Sequence, residues 1–102
     1  MSDVELLELR VEHLRQLIAE AGDDARANRF SDLADALERL GRIEEAGRAL
    51  LIAAERCQQH QQDARAAMLA RRAFRLDSSL KDSALAVWRA TSGLEDDAFF
   101  AD

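Results

Sequence analysis

Apolar residues in this chain recur at steps of three and four, the spacing that stripes one side of an α-helix. Val4, Leu7, Val11, Leu14, Ile18 and Ala21 make the first stripe. Phe30, Leu33, Ala34, Leu37 and Leu40 make a second, and Ile43, Ala46, Leu50, Ala53, Ala54 and Cys57 a third. Ala66, Ala67, Ala70, Ala73, Phe74 and Leu76 follow, then Ala84, Leu85, Val87 and Trp88. There is no proline or tyrosine, and alanine and leucine dominate, so the residues that strands and turns need are scarce. The pattern predicts an all-α fold of about five helices, arranged as a short stack or bundle of antiparallel hairpins.

The interruptions set the boundaries. In "AGDD", Gly22 can close the first helix, and Asp23 or Asp24 can cap the next. Gly41 marks a corner, and "CQQHQQD" reads as a frayed helix end and a connection, with Asp63 as cap of the fourth helix. "DSS" is a further break, where Ser79 and Asp82 have capping-box spacing, and the last helix stops near Gly93. The expected organisation is one helical domain over 1–93, with an N-terminal helix over 3–21 and hairpins over 25–60 and 63–92. An acidic tail, "LEDDAFFAD", follows over 94–102, with two phenylalanines that look exposed. A chain of 102 residues can bury only a modest core.

Charge is unevenly spread along the chain, whose net value is −6. Residues 1–24 carry seven acids and two arginines, whereas residues 61–93 carry six bases and three acids. Residues 94–102 then add four acids and no base. A basic stretch between acidic ends suggests neutralisation within the chain or an acidic partner, and argues against nucleic acid, whose phosphates want a net basic surface. The single cysteine and the lack of any apolar run near 18 residues point to a cytoplasmic protein that binds no membrane.

No catalytic, cofactor-binding or metal-binding residues are expected. Cys57 and His60 could share a helix face, but no third group is placed to orient them. Adjacent acids such as Glu44-Glu45 project differently and read as solvated surface. The chain is taken for a non-enzyme.

Two surfaces are candidate partner-binding sites. On the first helix Leu6, Leu9 and Leu17 lie outside the main stripe and widen the apolar surface, which suits packing within the fold or a homodimer. On the fourth helix Arg71, Arg72 and Arg75 lie opposite the alanine-rich face and could clamp carboxylates of an acidic protein or peptide. The tail itself is a candidate occupant of that arginine-lined groove.

Residues 27–60 resemble one tetratricopeptide repeat, a 34-residue helix-turn-helix unit. Phe30 stands at the family's early aromatic position, with Leu33 and Ala34 one turn later and Leu37 at its tyrosine position. Gly41 matches the turn glycine, Glu45-Ala46 the pair that opens the second helix, and Leu50 and Ala53 the later large and small positions. Gln58 replaces the usual proline, so the second helix is expected to run on. Residues 61–94 keep the rhythm with a degenerate signature, having Arg71 at an aromatic position; "AFRLDSS" at Ala73–Ser79 offers a competing frame. The resemblance implies structural roles for these eight residues (Phe30, Leu33, Ala34, Leu37, Gly41, Ala46, Leu50, Ala53) and a protein-binding module, an adaptor. Small, acidic helical chains are also similar to cytosolic chaperones of bacterial type III secretion. The alternatives are a structural homo-oligomer built through the N-terminal helix and a DNA-binding regulator.

Overall fold

In a computed structural model covering residues 1–102, the chain is all α-helical. The helices are α1 (Asp3–Ala21), α2 (Ala27–Arg39), α3 (Ile43–Gln59), α4 (Asp63–Leu76), α5 (Lys81–Thr91) and a one-turn α6 (Asp96–Phe100). Short 3₁₀ turns at Gly22–Asp24 and Ser78–Leu80 complete the connections. No helix is long and apolar enough to cross a membrane.

Each helix packs on the next, and α3 also touches α5. Side chains link the remaining alternate pairs: Arg15 of α1 reaches Glu45 of α3 at 3.7 Å, and Arg72 of α4 reaches Glu38 of α2 at 2.8 Å. The result is two rows of helices, α1, α3 and α5 behind and α2 and α4 in front. The smallest extent of the Cα trace, 18 Å, fits two helix layers spaced about 8–10 Å apart.

Alanine makes this close packing possible. Ala34, Ala46, Ala53, Ala54, Ala66, Ala70, Ala73 and Ala84 are all fully buried at the helix contacts. Larger chains fill the space between them, notably Leu37 and Leu50, with Phe30 and Leu33 near the edge. The run "ALLIAA" is buried on most sides, although Ile52 is partly exposed. Gly47 of α3 is a closer contact still. A Cβ there would lie 3.1 Å from Asp77 Cβ and 3.4 Å from the Ala73 carbonyl oxygen, so this glycine lets α3 touch the end of α4.

The two corners of the stack are built alike. At Gly41, which has φ +78°, the Arg42 amide donates to the Leu37 carbonyl at 2.9 Å. Twenty residues on, Gln61 takes the same left-handed conformation at φ +61°, and the Gln62 amide donates to the Cys57 carbonyl at 2.8 Å. This pattern satisfies helix-end carbonyls and favours glycine. Despite Gln58 standing in place of a proline, α3 stops at Gln59, one residue short of this corner.

The caps differ from expectation. Asp23 and Asp24 lie in a 3₁₀ turn, and α2 begins after Arg26 without a side-chain cap. Asp63 is the first helical residue of α4, placed where a negative charge meets the positive helix end, and is not a cap. Ser79 is itself capped: Asp77 accepts from the Ser79 amide at 3.0 Å and from its hydroxyl at 2.6 Å. A short acidic side chain two residues earlier reaches that turn better than one three residues later. A cap unmarked in the sequence reading lies at Ser2, which accepts from the Glu5 amide at 3.2 Å.

Candidate protein-binding groove

The arginine-bearing helix α4 and its neighbour α5 form a groove of about 470 Å³. Ala64 and Ala67 give it a shallow apolar floor, Trp88 one wall, and Arg71, Arg72 and Arg75 a basic rim. Met68 and Leu94, both largely exposed, extend the apolar surface outward.

The chain's own tail lies beside this groove and shares Arg71, Arg75 and Trp88 with it. Gly93, with φ +69°, turns the backbone out of α5, and α6 then lies across α4 and α5. Phe99, expected to be exposed, is 1% exposed and belongs to the core; Phe100 remains 47% exposed. The Phe99 ring stacks on Phe74 of α4 at 4.9 Å and lies 5.7 Å from Trp88. Phe100 meets Phe74 edge-on at 5.5 Å. Burying one phenylalanine contributes about 1.5–3 kcal/mol, and each favourable aromatic contact about 0.5–1.5 kcal/mol. Ordering each backbone residue costs about 1–2 kcal/mol, a similar amount, so docking of this short segment is finely balanced.

Polar groups hold both ends of the tail. Arg89 forms a forked pair with Asp96, with distances of 2.6 and 3.2 Å to its two oxygens. The bonds from Arg89 hold the Asp96 carboxyl below the usual carboxylate range. The Trp88 indole donates to the Glu95 carbonyl at 3.3 Å. At the far end Arg71 and Arg75 both donate to the Ala101 carbonyl. Two cationic groups therefore converge on one neutral oxygen, and the buried Nε of Arg71 finds no acceptor at all.

The third arginine of the set has a different task. Arg72 lies 3.3 Å from Asp35 and 2.8 Å from Glu38, so it ties α4 to α2. Arg65 does the same through Asn28 at 2.6 Å. Their helix is the same, but their angular offset turns them toward the front row. Phe74, Trp88, Arg89 and Asp96 belong to the site although sequence reasoning did not single them out for it. The signals for them were the aromatics of the tail, α4 and α5, and the charge contrast between the acidic tail and the basic stretch before it.

On α1 the structure buries Val11 and Leu14 and half-buries Leu7, Leu17 and Ile18. Val4, Leu6 and Leu9 stay about half exposed. Leu17 faces the cleft between α1 and α2, apart from Leu6, which borders Arg10 and Arg39. Leu6 and Leu17 thus line different clefts and Leu9 lines neither of them. Cys57 is buried while His60 is exposed, and burial pushes the Cys57 thiol up, away from the thiolate form. Glu45, in the first turn of α3, is held low by a bond from Arg42 at the corner.

Compared with protein-family models, curated proteins and solved structures, the chain matches none.

Proposed function

We propose that this chain is a non-enzymatic, tetratricopeptide-like interaction module that acts in the cytoplasm as an adaptor or small secretion-type chaperone. Its client site is the groove between α4 and α5. One observation carries the reading: a short acidic segment with two aromatics packs on the α4–α5 surface beside that groove, gripped by Arg71 and Arg75 and anchored by Phe99. A surface that holds such a segment from its own chain has the chemistry to hold one from another protein. Affinity capture from the native organism tests this with the wild type beside an Arg71→Glu, Arg75→Glu variant. Proteins held by the wild type and lost from the variant support the groove; capture indifferent to both changes rejects it.

A second reading, a homo-oligomer joined through α1, is favoured by one observation, the half-exposed Val4, Leu6 and Leu9 at the free end of that helix. A monomer in light scattering at micromolar concentration removes it. Duplex binding is disfavoured because five bases of α4 and α5 already meet internal partners, Arg65 and Arg72 on α2 and Arg89, Arg71 and Arg75 on the tail.

A further inference from the structure

The geometry points to a carboxylate seat between Arg71 and Arg75, built for the free C-terminal end of a partner segment and filled in this chain by an inferior substitute. This rests on the reading of the α4–α5 groove as a client site. Two guanidiniums converge on the Ala101 carbonyl, which is uncharged, and the buried Nε of Arg71 has no acceptor. A guanidinium fork matches the two oxygens of a carboxylate, and bonds to an ionised acceptor are about twice as strong as bonds to a neutral one. The backbone carbon held here becomes a carboxylate only where a chain ends at that residue. A side-chain carboxylate would have to displace the backbone from the position that seats Phe99.

The remainder of the tail defines the rest of the partner segment. An acid meets Arg89, as Asp96 does at 2.6 Å, and an aromatic three residues later fills the pocket between Phe74 and Trp88. The occupant is therefore an acidic segment of another protein, ending in an aromatic pair and one small residue that bears the terminal carboxylate. The tail competes for the same place. A groove free of its tail only a small fraction of the time binds a partner more weakly by that fraction.

Trp88, the one tryptophan, reports occupancy because it is buried against Phe99. In the full chain, Asp96→Arg sets two cations together at the tail's base, and Phe99→Ala removes its anchor. Either change should shift Trp88 emission to the red, and Asp96→Arg does so without leaving a cavity. The peptide LEDDAFFA, added with a free C-terminal carboxylate, should restore the blue emission. It should bind at least roughly tenfold more tightly than the same peptide as its C-terminal amide, the gain expected of a charge-assisted pair. It should also bind the wild-type chain more weakly than either opened variant. Adding Arg71→Gln and Arg75→Gln should erase the preference for acid over amide. Equal binding of acid and amide overturns the carboxylate seat and leaves the client groove standing. Failure of both peptides to bind an opened groove overturns both.

A truncation tests the seat without opening the groove. Ending the chain after Ala101 places that residue's carboxylate between the two arginines. Trp88 should then stay blue to a higher urea concentration than in the wild type. An unchanged or lower concentration overturns the seat.

Discussion

Phe74 and Phe99 stack with ring centroids 4.9 Å apart, and this contact joins the middle of the helical stack to its last turn. Phe74 is only half-buried, so without Phe99 its ring and that of Trp88 would face water. Phe99→Ala should therefore release α6 as a unit. The loss is limited to the docking free energy of the tail, about 1–3 kcal/mol, less than a central cavity costs. Chemical denaturation measures it; a loss above about 4 kcal/mol would show that α6 does not detach separately from the rest of the core.

Phe30 provides the contrast. It is 7% exposed, packs in the core of the α2–α3 hairpin, and carries the Arg56 guanidinium 5.5 Å above its ring. No local segment can detach to relieve its loss. Phe30→Ala should cost about 3–5 kcal/mol in urea denaturation, and a change below about 1 kcal/mol would contradict its placement.

The corner at Gln61 holds a side chain where glycine is preferred. A non-glycine residue in the left-handed region costs roughly 1–2 kcal/mol, partly offset by the greater freedom glycine has when unfolded. Gln61→Gly should raise the melting temperature, with a net gain of up to about 1 kcal/mol. A lower melting temperature would show that the Gln61 side chain contributes more than its backbone costs.

Gly47 should tolerate little. Leucine there would drive side-chain carbons into Asp77, the Ala73 carbonyl and Leu80. Gly47→Leu should destabilise the chain by about 1–3 kcal/mol or more through overpacking. A melting temperature equal to the wild type would refute the close approach of α3 and α4.

Acidification should loosen the tail. The Asp96 carboxyl titrates below its ordinary value in the folded chain because Arg89 bonds to its charged form. Its contribution is complete above the unfolded value of about 4 and is lost as pH falls through the lower folded value. Trp88 emission should move to the red across that range, and added salt should weaken the exposed pair in the same direction. Emission that is flat from pH 5 to pH 2.5 would assign the pair no part in docking.

Periodicity carried most of the fold to the surface of the sequence. The first stripe of Val11, Leu14 and their neighbours, and the alanines of α3 and α4, show helices and their inward faces because burial repeats with the helical period. Gly41 was visible as a corner; Gln61 was not, since its identical hydrogen-bond pattern depends on packing of the hairpins rather than on residue type. Arg71 and Arg75 were legible as a pair on one helix. Their distinction from Arg72 was not, because it depends on where Asp35 and Glu38 lie across the stack. Phe99 was hidden for a related reason. A five-residue helix is too short to show a period, and its partners Phe74 and Trp88 lie on two other helices.

A urea titration followed by two probes tests most directly whether the tail is a replaceable occupant of the groove. Trp88 emission reports α6 in place, and far-ultraviolet circular dichroism reports the α1–α5 stack. If the segment is held as a ligand is held, the red shift of Trp88 comes at a lower urea concentration than the loss of helix. A single shared transition would show that α6 unfolds only with the core, and would contradict a groove from which the tail can be displaced.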